Sequence, residues 1–466
     1  MGPVAWDRQA RRWLVALGAL GFVGVAPVVA QGSRSRLVAS ATFSSPVAVG
    51  PVAETGTRVE QADLVQGAWL QFPGPTGEQL ARIYENGHVQ SVGLPPQMRD
   101  ERLRVTPLQN GWTVAVDRYL PASRAGKDFC EGIEEPEPNE PGCGDDWVVA
   151  EHSPRGRWAL VQALPHSRGN RSWVSEPVEH HGRIEIAWGE PYEEAVRVAE
   201  AQLGRPFGFP RVVRHLLPRQ FTDSVGVSVK LGGLYEVAEY GPDVGSGEPE
   251  FIAERRLYGD GRFGPIHILK SQLLYEKCTF FPIPDGSELC LYSAGNFKLL
   301  IARRPPFATG FERSHLLLAK AEGSPEESAT QAFNGRLLII SEEKVPPESE
   351  HELIAAIAVS PRGIPAPARI IEGESGAATR YYAGAIGDGG EWLVASTTDE
   401  GGPLWLHPSS PGCAYREQKI RAPTSVSREH TTLALSAGRR GVFHVAWVDP
   451  RNQLQSASVR VMCARR

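Results

Sequence analysis

Short runs in which apolar residues alternate with others recur along most of this chain, and glycine-bearing turns bound them. Gly182-Arg-Ile-Glu-Ile-Ala-Trp188-Gly-Glu190-Pro191 and Gly441-Val-Phe-His-Val-Ala-Trp447-Val-Asp449-Pro450 show the pattern twice, with Gly, Ala, Trp and Pro coinciding and an acid before each Pro. Such period-two alternation predicts a half-buried strand entered from a turn. Two further matches pair Leu291-Tyr-Ser293-Ala-Gly295 with Ala434-Leu-Ser436-Ala-Gly438, and Ser153-Pro-Arg-Gly156 with Ser360-Pro-Arg-Gly363.

The turns fall into two sets. One precedes an apolar, often Trp-bearing run: Asn110-Gly111, His181-Gly182, Gly232-Gly233, Gly295-Asn296, Asn334-Gly335, Gly389-Gly390 and Arg440-Gly441. The other comes later in each unit: Asn86-Gly87, Arg155-Gly156, Asp260-Gly261 and Arg362-Gly363. Asn-Gly and Asp-Gly supply the positive φ of tight hairpins, so each unit reads as a four-stranded antiparallel meander. Trp69, Trp112, Ile184, Tyr235, Phe297, Leu337, Trp392 and Phe443 mark the strand after the first turn, at a mean spacing of about 53 residues, the length of a β-propeller blade. The expected fold is all-β, a propeller of eight four-stranded antiparallel blades, with seven as the alternative. Tyr192 to Leu203 is rich in helix formers, yet its alignment with the last unit makes it a strand.

Composition agrees with a turn-rich globular chain: 49 Gly, 38 Pro and 41% hydrophobic residues exclude a helical bundle, a collagen and a disordered chain. A net charge of −5 without a basic stripe argues against nucleic acid as partner.

Residues 1–30 read as an export signal. Arg8, Arg11 and Arg12 precede an apolar core from Trp13 to Val25, Pro27 breaks it, and Val28-Val29-Ala30 ahead of Gln31 is a small-residue cleavage pattern. Export by the general or the twin-arginine route, to the periplasm or outside the cell, follows, with no membrane span after cleavage. Residues 31–65 form a partly flexible N-terminal segment that contributes a closing strand, because the last unit ends after three strands; residues 66–466 form one propeller domain, monomeric. In an exported chain six cysteines imply three disulfides. Pairing neighbours gives Cys130 with Cys143 and Cys278 with Cys290, each bracketing a short insertion, and leaves Cys413 with Cys463.

The repeated units, above all Gly441 to Asp449 followed by Leu454-Gln-Ser-Ala-Ser458 and the counterpart from Gly182, resemble secreted bacterial β-propellers of the sialidase-like or BNR-repeat kind. That group's Asp box is a Ser/Thr-x-Asp-x-Gly-x-Thr-Trp turn; Thr397-Thr-Asp399-Glu-Gly401-Gly-Pro-Leu-Trp405 approaches it, with Pro403 and Leu404 where Thr and Trp should stand. A hydrolase of this kind implies an arginine triad on a substrate carboxylate, a Tyr nucleophile with a Glu partner and an Asp acid/base, none of which the sequence alone places.

Other chemistry is sparse. Ser293 and Ser436 lack the first Gly of a nucleophile elbow. No phosphate loop or zinc helix motif occurs. His180 and His181 alternate faces if on a strand, and no metal or cofactor is expected. Glu131 to Asp146 carries seven acids and no base, but Pro136, Pro138 and Pro141 hold them apart, which makes it a solvated, stapled insertion. Of the tryptophans, Trp405 lies in a later strand where it could face a carbohydrate. The function expected is an exported, non-enzymatic propeller that binds a protein or carbohydrate through the loops of one funnel face. A sialidase-like glycoside hydrolase and an envelope-assembly or adhesion subunit are the alternatives.

Overall fold

The computed structural model describes strands and turns within residues 37–465; inside that range the longest stretch outside the description is 120–145, the others are residues in connections, and of the strands between 213 and 264 the backbone alone is described. The described chain is all β. It forms eight antiparallel sheets of four or five strands, numbered here along the chain.

Sheet 1 runs Glu60–Leu64, Gly67–Gly74, Gly77–Tyr84, Val89–Val92; sheet 2 runs Arg104–Pro107, Thr113–Tyr119, Asp146–His152, Trp158–Ala163. Sheet 3 has a first strand in two pieces, Trp173–Val174 and Val178–His180, then Arg183–Glu190, Ala195–Gln202 and Arg211–His215. Sheet 4 is Gln220–Lys230, Gly233–Pro242, Phe251–Leu257, Phe263–Leu269, and sheet 5 is Thr279–Pro282, Glu288–Ala294, Lys298–Arg304, His315–Leu318. Sheet 6 opens with the pieces Ala321–Glu322 and Ala329–Gln331 and continues with Leu337–Lys344, Glu352–Val359 and Arg369–Gly373; sheet 7 is Arg380–Ile386, Trp392–Thr398, Gly401–Ser409, Ile420–Val426. Sheet 8 takes Leu433–Ala437, Val442–Val448 and Gln453–Arg465 from the end of the chain and Leu37–Phe43 from its beginning, in register from Leu37 opposite Arg465 to Phe43 opposite Val459, with Val47–Pro51 on the same long strand.

A single turn explains the glycine spacing. In eight described places, starting at Tyr84, Leu108, Ser153, Ile283, Ala332, Ser360, Gly387 and Asp449, the first residue donates its N–H to the carbonyl four residues on and the fourth donates back to the first. This is a type I turn closed by a bulge whose fourth residue needs positive φ. Glycine fills that place at seven of them (Gly335 at φ 85°, for example) and Asn452 fills the eighth at φ 57°.

The same turn corrects one marker. Phe297 does not begin a second strand. The second strand of sheet 5 is Glu288–Ala294, entered through the turn at Asp285-Gly286, so the marker belongs at Leu289 and the uneven intervals around Phe297 become regular. Ser293 therefore ends a second strand and Ser436 a first strand, and their Ser-Ala-Gly motifs are not equivalent. Ser153–Gly156 and Ser360–Gly363 are equivalent, both joining third to fourth strands. Glu60–Leu64, assigned above to the N-terminal segment, is the first strand of sheet 1. Ala195–Gln202 is a strand despite its helix formers.

Where their side chains are described, the second strands are buried on both faces, not one, because each sheet is packed between two others. Leu70 and Ile83 of sheet 1 meet Ala446 and Leu454 of sheet 8, while Trp69 and Leu80 meet Ala115 and Val148 of sheet 2. Val116 and Trp147 of sheet 2 pack on Ile186 and Trp188 of sheet 3. The first strand of sheet 4 touches sheet 3 on one side and the first strand of sheet 5 on the other. Leu291 joins Ile339 between sheets 5 and 6, Ile340 joins Trp392 between 6 and 7, and Leu406 joins Phe443 and Trp447 between 7 and 8. Non-directional burial of this kind rewards every face equally, which is why the polar member of each alternating pair is so often replaced by Ala, Ser or Thr.

Candidate functional site

In an antiparallel meander, the first-to-second and third-to-fourth connections leave a sheet at one end, and the second-to-third and sheet-to-sheet connections leave it at the other. Seven of the eight recurrent turns lie at the first end. The longest connection, 120–145 between the second and third strands of sheet 2, belongs to the second end and is outside the described residues, with Cys130, Cys143 and all the acidic insertion except Asp146.

The predicted site residues are dispersed. Cys413, in the turn after the third strand of sheet 7, is bonded to Cys463 in the third strand of sheet 8, with Cα atoms 5.8 Å apart. Cys290 is fully buried and disulfide-bonded; Cys278 lies outside the described residues. Trp405 sits half-buried in the third strand of sheet 7, with Ser396 and Arg421 as register partners. Thr397 is buried, Asp399 is outside the described residues, and Gly401 (φ 72°) lies so close to the carbonyls of Val426 and Ser427, 2.7 Å from a would-be Cβ, that no side chain fits. His180 is described by its backbone and His181 is outside. Ser293 is exposed; Ser436 is buried opposite His444, whose Nδ1 lies 3.3 Å from Ser458 Oγ. Burial holds the His444 imidazole down to about 4. Among the described residues, no group of three His, Cys, Asp or Glu is placed to hold a metal ion.

The structure instead brings together residues that no motif flagged. Trp69, Arg82 and Gln90 form one register row across sheet 1, and Thr113, His152 and Trp158 form another across sheet 2. The rows face each other. Trp69 meets His152 edge-on with ring centroids 5.1 Å apart, and His152 meets Trp158 in the same way at 5.1 Å. The Arg82 guanidinium carbon lies over the Tyr84 ring at 4.9 Å and over Trp69 at 5.9 Å, attractive cation–π contacts that gain strength when desolvated. Burial, with the Arg82 charge adding to it, holds His152 down to about 4, so its imidazole is neutral. Tyr84 Oη donates to Gln90 Oε1 at 2.6 Å, and Trp158 Nε1 donates to the Gly93 carbonyl at 2.6 Å, tying sheet 2 to the edge of sheet 1. The signal in the sequence was an arginine in Leu80-Ala-Arg82-Ile-Tyr84, a run otherwise apolar enough to be buried on both faces.

One interface further, Glu151 is completely buried between sheets 2 and 3, where it accepts the Gly204 N–H at 2.5 Å. Burial raises its pKa against that hydrogen bond.

No family model and no curated protein matches the sequence. Solved structures match in form, and those that do are β-propeller-type folds. Puromycin hydrolase has a TM-score of 0.48 at 15% identity over 87% of this chain and 61% of that one, so the chain spans about three fifths of its length. An α-L-arabinanase of Penicillium chrysogenum, complexed with arabinobiose, has a TM-score of 0.31 at 11% identity over 91% and 98%, and the WD40 domain of Toxoplasma gondii coronin has 0.38 at 10% identity over 92% and 87%.

Proposed function

We propose that the eight sheets are the blades of one closed propeller and that the chain is an exported binding module, recognising a protein or carbohydrate through the connections at the end opposite the tight turns. The observation that carries this is the placement of two connection types: seven of the eight copies of one short turn lie at one end, and the longest connection, the acidic 120–145 with Cys130 and Cys143, belongs to the other. Rigid strands that position variable loops are the usual way a scaffold of this kind carries function. Closure is supported by sheet 8, which packs on sheet 7 through Phe443 and on sheet 1 through Ala446, and which holds the first described strand beside the last.

The test is a binding screen of the mature chain, beginning at Gln31, against arrayed glycans and purified exported proteins. Replacing 121–144 with a short Gly-Ser linker should abolish the strongest interaction while circular dichroism is unchanged, and replacing the turn Asn86-Gly87 should not. Loss of binding from the turn variant alone would place recognition at the wrong end. Turnover of a fluorogenic sialoside above background would replace the binding reading with the sialidase-like one. Electron-microscopy class averages count the blades directly.

A further inference from the structure

The two facing rows between sheets 1 and 2 leave one charge unanswered. Arg82 is only 4% exposed, and among the described residues no carboxylate pairs with its guanidinium. Cations removed from water are paired or pay heavily for isolation. Among the described residues, four buried polar atoms of the two facing rows have no hydrogen-bond partner: Arg82 Nε itself, Trp69 Nε1, Thr113 Oγ1 and His152 Nδ1. Nε, Nε1 and the hydroxyl can all donate. A water molecule could satisfy such donors one at a time, but it leaves the positive charge uncompensated; an anion does both.

We propose that the interface between sheets 1 and 2 around Arg82 is a carboxylate-binding site anchored by Arg82, with Trp69 and Thr113 as additional donors. A planar guanidinium presents its N–H groups in a fork that fits a carboxylate edge-on, and the ring contacts of Trp69 and Tyr84 hold it in place. Tyr84 and Trp158 are half-buried and Gln90 is exposed, so this side is the entrance. Its walls are fixed beforehand by the Tyr84–Gln90 and Trp158–Gly93 hydrogen bonds, which lowers the ordering cost of binding. The aromatic walls suit an apolar body attached to the carboxylate. This site lies between two sheets near the tight-turn end, and it stands whether or not the loops at the other end bind anything.

The experiment follows tryptophan fluorescence and thermal midpoint during titration with succinate, with sodium sulfate at matched ionic strength, and with a short peptide ending in a free carboxylate or its amide. Saturable binding of succinate or of the free-acid peptide is expected, and preference for one identifies a small acid or a chain terminus as the source. Arg82→Lys should weaken it about tenfold or more, because the fork is lost while the charge stays; Thr113→Val, which leaves Arg82 in place, should weaken it severalfold. Should Arg82→Lys fail to fold, Thr113→Val decides. Absence of saturable binding to either carboxylate, equal saturation by sulfate, or affinity unchanged in the folded variants would overturn the proposal.

Discussion

Glu151 of sheet 2 accepts a hydrogen bond from the backbone N–H of Gly204, across the interface with sheet 3, and its other oxygen, Oε1, is buried with no partner among the described residues. Burial disfavours the charged form of a carboxylate so placed, which raises its pKa against the Gly204 hydrogen bond. A folded-state value above the unfolded one contributes stability that is present at low pH and lost as pH rises through the folded value. Glu151→Gln copies the protonated acid and keeps an acceptor for Gly204. It should stabilise the protein by about 1 kcal/mol at pH 7 and by nothing at pH 4, measured by urea denaturation at both. A loss of equal size at the two pH values would mean that the acid is held ionised by contacts the amide cannot make.

The histidines act in the opposite direction. His152 and His444 are both held at about 4, against an ordinary 6.5. Between those values the unfolded chain takes up two protons that the folded chain refuses, so stability falls as pH drops from 6.5 to about 4 and then levels off. Each contributes up to about 3 kcal/mol to that loss. Denaturation midpoints at pH 4, 5, 6 and 7 should show the slope, and a His152→Gln, His444→Gln double variant should flatten it. Parallel slopes in both proteins would assign the acid sensitivity to other groups.

Cys413 and Cys463 are 50 residues apart in sequence, and their bond ties the turn after the third strand of sheet 7 to the last strand of the chain. Closing a loop of that length removes entropy from the unfolded chain equivalent to about 4 kcal/mol. A Cys413→Ser, Cys463→Ser double variant should lose close to that amount and should release the strand paired with Leu37–Phe43 to faster hydrogen exchange. Unchanged exchange in that strand would show that its hydrogen bonds and the Phe43–Trp447 ring contact hold it unaided.

How far the sequence reaches depends on whether the cause is local. The tight turn is local: its fourth residue must tolerate positive φ, so Gly87, Gly111 and Gly335 mark strand boundaries by themselves. The Phe297 marker failed because Gly295-Asn296 imitates that signal, whereas the real turn, Ile283 to Ser287, lies between Cys278 and Cys290, a spacing that looked like an inserted loop. The facing rows of sheets 1 and 2 are not local at all. Alternation in Leu80-Ala-Arg82-Ile-Tyr84 says that two faces exist, but not that His152, 70 positions away, stands opposite one of them. Trp69, Trp188 and Trp447 were legible as packing residues because large side chains at matching places in repeated strands need matching neighbours.

A pair of glycines separates turn conformation from the packing of one sheet on the next. Gly87 and Gly335 occupy the same place in the same turn, at φ 81° and 85°, yet a Cβ on Gly87 meets nothing within 4 Å while one on Gly335 would come within 2.6 Å of Ile283 Cδ1. Gly87→Ala should therefore cost only the left-handed strain, about 1 kcal/mol. Gly335→Ala adds a contact that pushes sheet 6 away from Ile283 of sheet 5, an overpacking cost of about 1–3 kcal/mol more. Trimming the neighbour tests the cause: in an Ile283→Val background, which removes the Cδ1 atom, Gly335→Ala should cost little more than Gly87→Ala does. If the two glycine substitutions cost the same in the native background, the turns, and not the fit between successive sheets, set the stability of this end of the fold.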